Sequence, residues 1–210
     1  MEYIYLHGFL SGPNSHKGNF FRERFREKGI EIHFPDLNGG DFEHTTLSKQ
    51  QEIIERLIDS IDDQITVVGS SLGGYLAAVS AEKYKKIRRL VLMAPAFKFA
   101  DRYLQKFTET QLQAWKEKDY MEVYHYHFQK TCRLHYGIVE DAKNFSHQTF
   151  GRQLPALIFH GIRDDSVPFQ LSVEYLQDHP MTDLILFHSD HGLIDKLDLM
   201  WKYMGNFLGL

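Results

Sequence analysis

The sequence predicts an α/β fold, a mostly parallel sheet of about six strands flanked by helices, in one domain over residues 1–210. Three observations carry this expectation. Short apolar runs of strand length alternate with longer stretches that show the 3.6-residue period of an amphipathic helix. One such run, Ile65-Thr66-Val67-Val68, passes through the turn Gly69-Ser70-Ser71-Leu72-Gly73-Gly74 directly into a helical pattern. The alternation then stops at residue 97 and resumes at 156, so 97–150 reads as an insertion.

The elements follow in order. Tyr3–His7 is a short apolar run suited to a buried strand. Ser15–Lys28 carries the helical stripe Phe20, Phe21, Phe25 and stops at Gly29, a residue that tolerates the left-handed turn after a helix. Ile30–Phe34 is a second strand, ended by Pro35, and 36–46 is a loop. Leu47–Ile61 places Leu47, Ile54, Leu57, Ile58 and Ile61 on one helical face. Gln64–Gly69 is a strand, Leu72–Tyr84 a helix rich in small residues, and Leu90–Ala94 a strand ended by Pro95. Within 97–150 no strand is evident, and Thr108–Lys118 and Asp119–Tyr136 read as helices with aromatic faces. The insertion holds 12 of the chain's 29 aromatic residues, which makes it an apolar, helical cap. The alternation ends with strand Ala156–His160, helix Phe169–Asp178, strand Leu184–His188 and helix Leu193–Leu208. Right-handed crossovers bring every strand's C-terminal end to one edge, where ligands of such sheets bind and over which the insertion is expected to lie.

Composition excludes several function classes. A net charge of −4 and a pI near 6.3 imply no large basic face, which argues against a nucleic-acid partner. No run approaches 18 apolar residues, so stable membrane insertion is not expected. Met1–Tyr5 enters a strand pattern without the basic start and apolar stretch of a signal peptide. With Cys132 as the only cysteine, the expected compartment is the reducing cytoplasm.

The chemistry begins at the turn. Gly69-Ser70-Ser71-Leu72-Gly73 fits G-x-S-x-G, the nucleophile elbow, in which a reversal too tight for neighbouring Cβ atoms lifts a serine hydroxyl beside a helix N-terminus. A serine is a weak nucleophile at neutral pH and needs a base, which needs an orienting partner. Downstream, His160-Gly161-Ile162-Arg163-Asp164-Asp165-Ser166-Val167-Pro168 offers two adjacent carboxylates after a strand. His188-Ser189-Asp190-His191-Gly192 offers two histidines, of which His188 still follows the strand pattern and His191 lies in the loop beyond it. Near the start, Leu6-His7-Gly8-Phe9-Leu10-Ser11-Gly12 follows the first strand.

These four motifs, in this order and on these elements, resemble the α/β-hydrolase superfamily. The likeness is strongest to small bacterial serine esterases of the YqiA type, through Tyr5-Leu6-His7-Gly8-Phe9, Ser11, Pro13, Ser15, Lys17, Val68–Tyr75 and Phe207-Leu208-Gly209-Leu210. The resemblance implies Ser71 as nucleophile, His191 as base and Asp164 as orienting acid, with Asp165 its alternative. It also implies an oxyanion hole from the backbone N–H groups of Phe9 and Leu72, with His7 shaping the loop. The implied activity is hydrolysis of a small-molecule carboxylic ester or thioester, without cofactor or metal. The insertion is longer and more aromatic than the family pattern, and an apolar acyl or alcohol group is the expectation it raises.

Other features receive plainer readings. His125, His127 and His135 are expected as polar positions on a cap helix rather than metal ligands, Cys132 as a small apolar residue, and Asp36 and Asp41 as solvated loop acids. A C–C bond lyase or hydrolase of the same fold, acting on an anionic metabolite, would need arginines at the serine. Arg102, Arg133 and Arg152 are the candidates, although surface positions are expected for them. A catalytically silent binding module would show Ser71 out of reach of His191.

Overall fold

The computed structural model describes residues 1–210. The chain starts with β1 (Glu2–Leu6), α1 (His16–Glu27), β2 (Ile32–His33), α2 (Leu47–Asp59), β3 (Ile65–Ser70), α3 (Leu72–Lys83) and β4 (Ile87–Met93). There follow α4 (Phe99–Leu104), α5 (Glu109–Lys118), β5 (Tyr120–His125), β6 (Lys130–His135) and α6 (Gly137–Ala142). It closes with β7 (Ala156–Gly161), α7 (Gln170–Asp178), β8 (Thr182–Phe187) and α8 (Leu197–Leu208). Six strands form one sheet in the order β2-β1-β3-β4-β7-β8, and every pair is parallel. No helix is long and apolar enough to cross a membrane.

Local sequence explains the elements. The Ser15 hydroxyl caps α1 by accepting the Gly18 N–H, and the Thr46 hydroxyl caps α2 by accepting the Lys49 N–H. Gly29, at φ 69°, turns the chain out of α1. Strand residues alternate between two buried faces, as a sheet covered on both sides demands. Tyr5, Val68, Val91 and Phe159 pack with Phe21 and Phe25 of α1 and Met200 and Met204 of α8. Ile4, Leu6, Val67, Leu92 and Ile158 pack with Ile54 and Ile58 of α2 and with Leu76 and Ala77 of α3.

The expected elements outside the insertion are present, with shifted ends. Of Ile30–Phe34 only Ile32–His33 joins the sheet. The strands expected at Leu90 and Leu184 begin earlier, at Ile87 and Thr182, and β8 ends at Phe187, leaving His188 outside it. The last helix starts at Leu197, after a 3-10 turn over Ile194–Lys196.

Inside the insertion one expectation fails. Asp119–Tyr136 is not a helix but the antiparallel hairpin β5–β6, so the insertion is not wholly helical. Tyr120, Tyr124, Phe128, Cys132 and Tyr136 recur every four residues, which imitates a helical stripe. Four is also a multiple of the strand period of two, so the spacing is equally compatible with a strand. The neighbours decide the matter. Met121 lies opposite Leu134 and Val123 opposite Cys132, and these four side chains face the core. Thr108–Lys118 does form a helix, α5, capped by a reciprocal pair of bonds between Thr108 and Gln111.

The hairpin tip docks on the loop after β1. The Tyr126 N–H donates to the Leu10 carbonyl at 3.1 Å, and a Cβ on Gly12 would meet the His127 ring. At the base of the sheet, the Arg152 guanidinium donates to the carbonyls of Ala81, Tyr84, Lys85 and Ile87 at 2.5–2.9 Å, tying the end of α3 to the start of β4. Arg152→Ala is therefore expected to cost about 2–4 kcal/mol, since several charge-assisted bonds vanish together. Urea unfolding measures this, and a loss below about 0.5 kcal/mol, the level of a plain surface substitution, contradicts it.

Candidate active site

The site lies at the C-terminal ends of β1, β3, β7 and β8. Ser71 sits between β3 and α3 with φ 53° and ψ −117°, a strained conformation for a residue with a side chain. The glycines flanking it permit the turn. A Cβ on Gly69 would lie 2.6 Å from the Gly73 carbonyl oxygen, and one on Gly73 would strike the Leu6 and His7 carbonyls. The loop after β1 runs against the elbow, and a Cβ on Gly8 would stand 3.2 Å from Ser71 Cβ.

Three predicted side chains meet. Ser71 Oγ is 3.0 Å from His191 Nε2, and His191 Nδ1 is 2.6 Å from Asp164 Oδ2. Asp165 does not join them; it is exposed and accepts a bond from the Ser166 hydroxyl. His188 is exposed as well. Two loops bring acid and base together, because Gly161, at the end of β7, packs so tightly on the Ser189 and Asp190 carbonyls that a Cβ there would clash. Asp190 then shapes the base loop by accepting the Gly192 and Leu193 N–H groups at 2.9 and 3.3 Å.

Asp164 has no exposed side-chain surface. Burial works against its charge, but hydrogen bonds from His160 and His191, together with the Val167 N–H, outweigh it and hold the carboxyl well below the usual carboxylate range. Its Oδ1 accepts the Ser166 and Val167 N–H groups at 2.9 and 2.7 Å. Nearby, burial lowers the Lys17 amine to about 8 against the opposing pull of Asp164 and Asp190. His7 is buried, its Nδ1 2.9 Å from the Gly8 carbonyl and its Nε2 accepting the Leu37 N–H at 3.0 Å, so it braces the loop that carries Phe9. Leu72 opens α3, where the first-turn N–H groups have no helical partner.

The insertion supplies an apolar wall beside Phe9, whose ring contacts Phe99 and Tyr103 of α4 at centroid distances of 5.9 and 5.6 Å, and Phe42 at 6.2 Å. The three candidate arginines separate. Arg152 is spent on the base of the sheet, and Arg133 pairs with Glu43 and stacks on Tyr120. Arg102 alone reaches the acid loop, donating to the Ser166 carbonyl at 3.0 Å. His125, His127 and His135 lie on or beside the hairpin rather than on a helix. His125 is fully buried, and His135 Nδ1 accepts the Gly137 N–H. No group of three or more His, Cys, Asp or Glu side chains is arranged to hold a metal ion. Cys132 is half-buried on β6, against the core.

The acid motif brings one more residue to the site than its pattern predicts. His160, its first residue, is completely buried and makes a second imidazole contact to Asp164 Oδ2, at 3.1 Å. Its position one residue before the end of an apolar strand was the available signal.

Comparison with known proteins gives four further findings. Residues 2–207 match the model of a family described as Uncharacterised protein family (UPF0227). The chain is 27% identical over 212 residues to the human protein named palmitoyl-protein thioesterase ABHD10, mitochondrial, the match covering 93% of this chain and 68% of that one. Mouse alpha/beta hydrolase domain-containing protein 10 superposes with a TM-score of 0.82 at 24% identity, covering 99% of this chain and 89% of that one. A monoacylglycerol lipase of Paleococcus ferrophilus superposes with a TM-score of 0.71 at 15% identity, covering 98% and 94%. At these identities the structural likeness speaks for the fold, which is that of the α/β-hydrolases.

Because the folded-state pKa of Asp164 is depressed, its ionisation contributes stability that is present above about pH 3.9, the ordinary unfolded value, and is lost as pH falls below it. The stability gap between wild type and Asp164→Asn in urea is expected to be flat from neutral pH down to about pH 5 and to shrink as pH falls through and below about 3.9. A gap that widens on acidification contradicts the assignment.

Proposed function

We propose that this chain, which belongs to the UPF0227 family and has the α/β-hydrolase fold, is a serine hydrolase that cleaves a carboxylic ester or thioester through an acyl-enzyme on Ser71. The observation that carries the reading is the unbroken run Ser71 Oγ, His191 Nε2, His191 Nδ1, Asp164 Oδ2, with gaps of 3.0 and 2.6 Å. The same run argues against a silent binding module.

The steps follow from the geometry. Ser71 donates its hydroxyl proton to His191 Nε2 as Oγ attacks the substrate carbonyl carbon. In this reading the Phe9 and Leu72 N–H groups donate to the oxyanion that forms. Asp164 holds the imidazole by its Nδ1–H and stabilises the imidazolium, while remaining ionised itself. His191 then gives its proton to the departing alcohol or thiol. A water deprotonated by His191 attacks the acyl-enzyme, and collapse of the second intermediate returns the proton to Ser71 and releases the acid.

The acyl group is apolar in this reading. Phe9, Phe99 and Tyr103 stand beside the proposed oxyanion loop, and the names of the human thioesterase and the Paleococcus ferrophilus lipase both refer to acyl substrates. The anionic-metabolite alternative keeps only Arg102 of its three arginines near the acid loop. The lone Cys132 is compatible with a reducing compartment, of which the cytoplasm is the one proposed here, although the human relative is named as mitochondrial.

Hydrolysis of p-nitrophenyl esters from acetate to palmitate tests the proposal. Ser71→Ala is expected to lower kcat by about 10⁴-fold or more, and Asp164→Asn by about 10⁴-fold, with the fold retained. Activity unchanged in Ser71→Ala sinks the nucleophile assignment. The optimum should fall on chains longer than acetate, and Phe99→Ala should lower kcat/KM more for the long esters than for acetate. An equal effect along the series would remove the aromatic wall from acyl recognition.

A further inference from the structure

Asp164 Oδ2 is shared between two imidazoles. His191 Nδ1 approaches it at 2.6 Å and His160 Nε2 at 3.1 Å. The His160 ring is held on both edges. Nε2 also lies 3.0 Å from the Val167 carbonyl oxygen, and Nδ1 lies 2.8 Å from Ser172 Oγ of α7. A carbonyl can only accept, so Nε2 carries the proton. Nδ1 of the neutral ring is then an acceptor, and the Ser172 hydroxyl donates to it. His160 and Ser172 are both fully buried, so no water competes for these bonds.

We propose that His160 is a positioning residue for the reaction, its Nε2–H fixing Asp164 Oδ2 in line with His191 and drawing off part of the charge with which Asp164 supports the imidazolium. This rests on the Ser71–His191–Asp164 reading above. His160 exchanges no proton during the cycle. Two donors on one carboxylate oxygen divide its basicity between them. With the His160 donor removed, the full charge turns to His191 and protonation of that ring is favoured. At the same time the carboxylate is free to rotate away from the imidazole. The remaining groups about Asp164 are the Ser166 and Val167 N–H groups on Oδ1, Arg102 on the Ser166 carbonyl, and Lys17 and Asp190 at longer range. None of them contacts Oδ2.

Three variants form the test: His160→Leu removes the donor, His160→Gln restores an N–H near the Nε2 position, and Ser172→Ala releases the tautomer lock. In His160→Leu kcat should fall about 10- to 100-fold, the range seen when groups that orient metal-bound histidines are removed. KM should stay within about twofold, because no substrate contact is lost. The acidic limb of the kcat/KM profile should move to higher pH. His160→Gln should recover most of kcat and return the limb. Ser172→Ala should cost roughly 2- to 10-fold in kcat, the equivalent of one buried hydrogen bond.

A readout without substrate is the low-field proton resonance of the His191 Nδ1–H in the resting protein. It should shift in His160→Leu and Ser172→Ala and return in His160→Gln. A folded His160→Leu with wild-type kcat, pH profile and resonance overturns the proposal. If the leucine variant does not fold, the other two decide it. A shifted resonance in Ser172→Ala with recovery in His160→Gln supports the proposal, and wild-type resonance and kcat in Ser172→Ala overturn it. Activity surviving in Ser71→Ala would overturn the nucleophile reading instead, and the resonance in that variant would still report on the contact of His160 with Asp164.

Discussion

At Ser71 the backbone adopts a conformation that costs of order 1–3 kcal/mol for a residue bearing a side chain. The surrounding structure maintains it from several directions. The Ser71 N–H donates to the Met93 carbonyl of the neighbouring strand, and its carbonyl accepts the Tyr75 and Ala96 N–H groups. Gly69 and Gly73 let α3 and the end of β1 close around it. With the elbow fixed, the loop carrying Gly8 and Phe9 has one place to run, against the serine. The insertion docks on the far side of that same loop through Tyr126 and His127.

The electrostatics of the site are organised around one buried charge. Asp164 is held as a carboxylate by four N–H groups, two from its own loop and two from imidazoles. The loop N–H groups hold one of its oxygens and the imidazoles hold the second. An isolated carboxylate in this position would protonate, and a protonated acid would give the base no support. The bonds to Asp164 therefore serve stability and reactivity together.

Much of this could be read from the residues because the signals were local. The elbow is six consecutive residues whose glycines answer a steric demand, and the acid and base loops each follow a recognisable strand. Thr108 and Ser15 announce their helices in the same way. What could not be read depended on the third dimension. The hairpin at 120–135 carries a four-residue aromatic spacing that both a helix and a strand satisfy, and only packing of Met121, Val123 and Leu134 on the core distinguishes them. The place of His160 depends on α7, which brings Ser172 against a ring twelve residues upstream. Arg152 gave no pattern at all, since its four carbonyl acceptors run from the end of α3 to the start of β4, some seventy residues earlier.

The sheet order carries a consequence for how the protein fails. The proposed nucleophile and base do not follow equally secure strands. Ser71 follows β3, which is paired on both sides, by β1 and β4. His191 follows β8, an edge strand held by β7 alone. Edges open at lower free energy than centres. Fraying of one strand pair is thus enough to withdraw the general base while the other five strands and the elbow remain in register. In the proposed mechanism, inactivation and unfolding would then be separate events, with the proton acceptor lost before the nucleophile.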